Sequence, residues 1–249
     1  MVIGFATSCM NRRWQLEQTL EQNLRALAGT PHFIALCDYN SADAVATLVE
    51  GLDDVRRGHL LYFRTDEPQS FHMSSAKNTA HRLALRRKPD VLFNLDADNR
   101  ITPETVAMIE RVFRADRDTC LHNWNQDWAA GTCGRVALAA SRWLELGGYD
   151  EALLPVGWQD LDLMFRARGI GLCYRQVNEG VGPSLENSYA QKLANVALPD
   201  ARGAGTPREL YNQTLARNMI TSLGRPVRLD AGAQRRFSGV IDFSVPATV

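Results

Sequence analysis

Two aspartates, Asp96 and Asp98, close an apolar run in the segment VLFNLDADNRITP, and a second pair, Asp160 and Asp162, stands in GWQDLDL. Paired aspartates supply the hard oxygen ligands that Mg²⁺ and Mn²⁺ favour, and such ions keep positions open for phosphate oxygens. A D-x-D at the end of a buried strand therefore suits a nucleotide diphosphate held through a divalent metal. Ordinary turn chemistry explains Asn99 and Thr102: Thr102 before Pro103 reads as an N-cap with proline at the first helical position, opening a helix around Glu104 to Phe113. It leaves the D-x-D spacing unaccounted for. Other chemically useful side chains follow other apolar runs: Thr7 to Arg13 after the first, Asp38 and Asn40 after the second, with Lys77 and Asn78 near a helix start. Hydroxyl, carboxamide, carboxylate and cation around one crevice match the needs of a nucleoside diphosphate with its metal. Each also has a plainer role open to it. Thr7 can simply end a strand, Asp38 can serve a turn, Asn78 can be a solvated helix residue, and Asp162 can favour a helix amino terminus.

Converging these residues requires particular elements. Strand-like runs recur at Val2 to Thr7, Phe33 to Cys37, Leu60 to Arg64 and Val91 to Leu95. Between the first two, Leu16, Leu20, Leu24 and Leu27 fall on one helical face, and Ser75 to Arg87 predicts a second helix with Ala76, Ala80, Leu83 and Ala84 inward. Buried strands joined by such crossovers give a parallel sheet with helices on its faces, and ligands bind at its strands' carboxyl ends. After Phe113 the rhythm becomes α+β: a loop with Trp124 and Trp128, a strand at Val136 to Ala140, a short helix at Arg142 to Leu146, then GGYDEALLPVGWQDLDLMFRARG. PDARGAGTP, Pro199 to Pro207, predicts a mobile loop able to cover a donor through Gly203 and Gly205, before a helix near Glu209 to Leu223. The tail from Arg225 to Val249 reads equally as a packed strand or an ordered arm.

With these segments in order, the sequence resembles nucleotide-sugar glycosyltransferases of the GT-A fold, in particular family 2-like enzymes. FATSCMNR, LCDYNSAD, SSAKNTA and LDADN carry the resemblance. GRVALAASRWLELGGYDE followed by GWQDLDL looks like the acceptor-side segment of β-1,4-galactosyltransferases and polypeptide N-acetylgalactosaminyltransferases. The resemblance implies a mostly parallel, Rossmann-like central sheet flanked by helices, with an α+β acceptor-side half. One GT-A domain over 1–224 would divide into a nucleotide-sugar-binding half, 1–115, and an acceptor half, 116–224, followed by a tail, 225–249.

Carried over position by position, Thr7 and Asp38 contact the nucleotide base with Arg12 or Arg13 near it, and Asn78 lies along the donor. Asp96 binds ribose or sugar, and Asp98 coordinates Mn²⁺ or Mg²⁺. Asp160 is the base that deprotonates an acceptor hydroxyl, with Trp158 and Tyr149 on the acceptor side; a core tryptophan is the rival role for Trp158. Two positions depart from the pattern. Gln159 stands where the motif usually has Glu, which removes a negative charge beside Asp160. Pro183 follows Val181-Gly182 where a metal-binding histidine often stands, leaving Glu186, Asn187, His122 or water to fill the place. The implied reaction is transfer of a sugar from a UDP-sugar to a hydroxyl acceptor with inversion, retention being the alternative that the likeness to polypeptide N-acetylgalactosaminyltransferases leaves open. Rivals are a catalytically silent nucleotide-sugar or glycan-binding protein, and a sugar-phosphate nucleotidyltransferase. The latter usually begins with a glycine-rich loop that FATSCMNRRW lacks.

The 249 residues are 45% apolar and 22% charged, ordinary for a globular chain that buries a sizeable core. Lys plus Arg and Asp plus Glu are 28 each, so no net field draws it to nucleic acid or an anionic membrane. Apolar runs are strand-length, short of the roughly 20 residues of a membrane helix, and MVIGFATSCMNRR lacks a signal peptide's order of charge and apolar run. Five cysteines without a C-x-x-C pair predict neither a disulfide framework nor a zinc site, and a cytoplasmic setting is the expectation.

Overall fold

A computed structural model of the chain describes residues 1–53, 58–182, 184–199 and 205–238. The apolar runs form strands β1 (Ile3–Cys9), β2 (Phe33–Tyr39), β3 (Leu60–Thr65) and β4 (Val91–Asn94). Helix α1 (Arg13–Ala26) joins β1 to β2, α2 (Val45–Glu50) precedes β3, and α3 (Met73–Leu85) leads to β4. Pairing is parallel between β1 and β2, β2 and β3, and β1 and β4. Because β2 and β3 lie on one side of β1 and β4 on the other, connections diverge between β1 and β4. A crevice opens at such a divergence, beyond the strands' carboxyl ends.

Beyond α4 (Pro103–Ala115), capped by Thr102 as its sequence predicts, come β5 (Thr119–Asn123), β6 (Val136–Ala139), α5 (Ala140–Leu146), α6 (Gln159–Gly169), β7 (Cys173–Val177), α7 (Tyr189–Leu193) and α8 (Pro207–Leu223). Strand β6 runs antiparallel to β4 and β5, and β7 pairs parallel with β5. The sheet order is β3-β2-β1-β4-β6-β5-β7, mostly parallel as expected. Sequence reading finds β1 to β4 and β6 but passes over β5 and β7. In β5 the buried positions include Thr119, His122 and Asn123, and β7 is an edge strand exposed over Cys173–Arg175, so neither carries the apolar signal.

Side-chain alternation sends Ile3 and Phe5 to one face, where they pack with Leu16, Leu20 and Leu24 of α1 and Val106 and Ile109 of α4. Ala6 and Ala35 face the other side, against Ala76 and Ala80 of α3, Trp143 and Met164. Small residues bring α3 close to the sheet: a β-carbon on Gly4 would lie 3.3 Å from that of Ala84. That closeness buries ten successive α3 positions from Ser74 to Ala84 save Arg82, Lys77 among them.

The described part of the tail is an irregular arm on the loop of residues 147–151. Arg225 pairs with Asp150 at 2.5 Å, Leu229 N–H donates to Leu146 O at 3.0 Å, and Phe237 meets Tyr39 edge-on at 5.2 Å. Among the described residues no helix is long and apolar enough to cross a membrane, and all five cysteines are free.

Candidate active site

A cavity of about 520 Å³ opens beyond the carboxyl ends of β1 and β4. Asp96, Asp98, Lys77 and Asp160 line its floor, Ser8 to Met10 and Arg12 one wall, and α7 and α8 contribute Tyr189, Lys192, Tyr211 and Leu215. At its centre Lys77 Nζ donates to both oxygens of Asp160, at 2.7 and 2.9 Å, and stands 3.3 Å from Asp96 Oδ1. The Lys77 ammonium also lies over the buried Tyr149 ring, 5.4 Å from its centroid. One buried cation thus ties the D-x-D strand end to GWQDLDL, 83 residues away in sequence.

Three local devices build this arrangement. Gly134 leaves room for it: a β-carbon there would stand 2.4 Å from Asp96 Oδ2 and 3.2 Å from Asp160 Oδ2. Trp158 holds a left-handed backbone, φ 79°, directly before α6. A tryptophan in that region is strained by about 1–3 kcal/mol, and the turn it makes aims Asp160 at the cavity. Asn218 of α8 anchors the preceding loop, accepting from Leu154 N–H at 2.6 Å and donating to the carbonyls of Leu154, Val156 and Gly157 at 2.7 to 3.1 Å.

Burial raises the Asp160 carboxyl above the usual aspartate range; Lys77 pulls it back and Asp96 pushes it further up. For Lys77 burial works downward, but Asp160 and Asp96 outweigh it and hold the ammonium above its ordinary value. Burial, reinforced by the charge of Asp96, pushes Asp98 up to about 6, while an Asn99 amide donates to it at 2.6 Å. Lys77 is engaged by Asp160 and Asp96, and the cation charge that acts on Asp98 is the smaller effect of Lys192.

Of the residues singled out in the sequence, Asp96, Asp98, Asp160, Trp158 and Arg12 line the cavity. Tyr149 is buried behind Lys77. The others are committed to the fold. Asp38 is fully buried and accepts from Ser41 N–H at 2.9 Å, the Tyr62 hydroxyl at 2.7 Å and Arg64 at 2.8 Å. Asn78 cross-links α3 to the GGYDE loop through Tyr149 N–H and O, at 2.8 and 2.9 Å. Thr7 is buried within β1, and the Arg13 guanidinium turns to Glu17 at 2.8 Å and Ala44 O at 3.1 Å. Asp162 is buried on Arg166, 2.8 Å, and the Ser222 hydroxyl, 2.6 Å, which is a packing role. Pro183 and most of the PDARGAGTP loop, Gly203 included, lie outside the described residues. Glu186 and Asn187 line the cavity, whereas His122 spends its nitrogens on Cys133 O and Tyr174 Oη, both at 2.9 Å. The sequence puts Lys77 at the crevice as a cation but does not reveal Asp160 and Asp96 as its partners; the further signal was its place within the run of small residues that packs α3 against the sheet.

No family profile and no curated protein matches this sequence. Among solved structures, S. aureus TarS 1–349 in complex with UDP is similar at 14% identity and a TM-score of 0.57, over 90% of this chain and 72% of that one. A second structure of S. aureus TarS 1–349 matches at 14% identity and a TM-score of 0.50, over 88% and 71%. At such identity the likeness speaks for the fold: a seven-stranded mixed α/β sheet flanked by helices, of the GT-A type.

Proposed function

We propose that this protein is a glycosyltransferase moving a sugar from a nucleotide sugar, UDP-linked, to an acceptor hydroxyl with inversion. The observation that carries the reading is the Asp160–Lys77–Asp96 array on the floor of a cavity at the β1/β4 divergence, with Asp98 alongside. The likeness to a fold that holds UDP in TarS supports the donor class. In this reading Asp160, with its affinity for a proton raised by burial, takes the proton of the acceptor hydroxyl. The hydroxyl oxygen forms its bond to the anomeric carbon as the bond from that carbon to the diphosphate oxygen breaks, and the electron pair leaves with UDP. Lys77 holds Asp160 in one rotamer beside the donor and offsets its charge. Arg12 and Lys192, which also line the cavity, suit the diphosphate.

The donor set fits Mn²⁺ or Mg²⁺. Asp98, its carboxyl raised by burial and by the charge of Asp96, and Asp96 itself offer oxygens, with Glu186 and Asn187 on the same cavity wall. No group of three His, Cys, Asp or Glu among the described residues could hold an ion by itself, so the donor diphosphate and water would have to complete a shell that Asp98 and Asp96 begin. Bound there, the ion acts as a Lewis acid on the departing phosphate. The acceptor-side likeness to β-1,4-galactosyltransferases rests on the sequence alone, on GRVALAASRWLELGGYDE followed by GWQDLDL.

The test is UDP titration by calorimetry with Mn²⁺ and with excess chelator, for the natural chain and Asp98→Ala. Tight binding with Mn²⁺, weakened by chelator and by the substitution, is expected. Equal affinity in all conditions would refute the metal assignment, and no UDP binding at all the donor class. Intact binding without turnover of any UDP-sugar would leave a nucleotide-sugar-binding protein.

A further inference from the structure

One wall of the cavity, Trp128 to Gly131, is uncharged and carries an aromatic side chain. Trp128 lines the cavity while remaining 64% exposed, an unusual state for so large an apolar side chain. It is held in place. Its ring meets Trp124 edge-on at 4.8 Å, and Trp124 stacks at 4.9 Å on His122, which is buried and hydrogen-bonded through both nitrogens. The short turn that carries it is fixed at both ends, by Asp127 accepting from Ala129 N–H at 2.8 Å and by Ser184 donating to Ala130 O at 2.5 Å. A rigid, solvent-facing indole at a cavity mouth is a preformed stacking surface.

Polar atoms on the same cavity lining point to the occupant's chemistry. Trp158 Nε1, Gln159 Oε1 and Asn187 Oδ1 are buried without a hydrogen-bond partner. Gln159 is almost fully buried, and its amide nitrogen is committed to Leu154 O at 2.7 Å, so its oxygen is the free end. The unmet groups are therefore one donor and two acceptors, all neutral. A sugar hydroxyl both donates and accepts and can satisfy every one of them; a phosphate presents acceptors only. Carboxylates also outnumber cations in the cavity wall, which disfavours a second anion beside the donor diphosphate.

We infer that the acceptor is an uncharged saccharide ring, stacked on Trp128 and bonded through its hydroxyls to Trp158, Gln159 and Asn187. This rests on the transferase reading above and adds the acceptor class to it. Gln159 then acts as a specificity residue: its neutral oxygen accepts from an acceptor hydroxyl next to Asp160 without competing for the proton.

Saturation-transfer NMR on the full chain with UDP and Mn²⁺ tests this. The probes are methyl glycosides of neutral hexoses and N-acetylhexosamines and their disaccharides, against glucose 6-phosphate and glycerol 3-phosphate. The neutral sugars are expected to bind and the phosphates not. Trp128→Ala should weaken saccharide binding about tenfold, as loss of an aromatic contact does, and Trp128→Phe should recover most of it. Because Trp128 is exposed, folding is retained, and UDP affinity measured on the same variants should hold. Phosphate esters binding as well as neutral sugars, or Trp128→Ala lowering UDP affinity instead, would overturn the inference. Normal UDP binding with no neutral saccharide bound would sink it alone. Saccharide binding without any UDP binding would support the site while removing the donor reading.

Discussion

Asp160 and Lys77 form the pair on which the proposed chemistry turns, and each substitution separates a different contribution. Asp160→Asn keeps the side chain's shape but removes the proton acceptor, so transfer should fall by roughly 10²- to 10⁴-fold with UDP-sugar affinity little changed. The N-cap of α6 is Trp158, not Asp160, and a residue serving only the helix dipole would cost stability rather than rate. Near-normal transfer by folded Asp160→Asn would remove it from the mechanism. Lys77→Met leaves Asp160 and Asp96 facing each other without their shared cation, and breaking such a buried pair costs about 3–5 kcal/mol. As the proposed base Asp160 must be ionised, so transfer should be lost as pH falls through its folded pKa, which burial already raises. Without Lys77 that pKa rises further, so the acid limb of the rate profile should move to higher pH; a limb that stays put would mean Lys77 does not govern Asp160.

Among the elements, α8 has the least obvious role, since its sequence carries no motif. Through Asn218 it fastens residues 154–157, the loop that delivers Trp158 and Asp160. Asn218→Ala would leave several buried loop groups without partners, at about 1–3 kcal/mol for an unsatisfied polar group. A melting temperature lower by several degrees is expected, with transfer falling more than UDP affinity because the loop bears the proposed base rather than the D-x-D. A variant that loses stability but keeps its full rate would show that α6 holds Asp160 unaided. Helix α3 works differently, pressing Lys77 between strands and loop by the smallness of Ala76, Ala80 and Ala84.

Across the whole molecule, buried histidines couple folding to pH. Burial lowers His32, His72 and His122, and it brings fully buried His81, stacked 5.2 Å from Trp143, down to about 4. Unfolded, each binds a proton near pH 6.5, whereas folded His81 stays neutral until about pH 4. Between those values the unfolded chain carries more protons, so stability falls as pH falls, by about 3 kcal/mol for His81 alone at the lower end. Melting curves from pH 7 to 4.5 should show a steady decline, shallower in His81→Phe, which keeps the ring stack and cannot be protonated. Identical slopes would place the effect elsewhere. Equal numbers of acidic and basic residues leave no large net charge to add to this trend near neutrality.

Periodicity and strand-end chemistry were enough to read a parallel sheet, its flanking helices and a crevice bearing Asp96, Asp98 and the segment with Arg12, because alternation and helical spacing report which side of an element is buried. Asp160 and Trp158 were expected there only through the resemblance of GWQDLDL to acceptor-side segments, and they line the same cavity. What the sequence could not disclose was which polar side chains the fold itself consumes. Asp38 and Asn78 carry the residue types of a donor site, yet Tyr62 and Arg64 occupy one and the backbone of Tyr149 the other. Lys77 reads as a cation near the crevice, and only tertiary structure brings Asp160 to it across 83 residues. Trp128 lies in a loop with no periodic signal, and its stack on Trp124 and His122 depends on β5 pairing beside β6. Local pattern sets burial and direction; hydrogen-bond partners come from distant segments, so the division between structural and available polar groups is decided when the chain closes on itself.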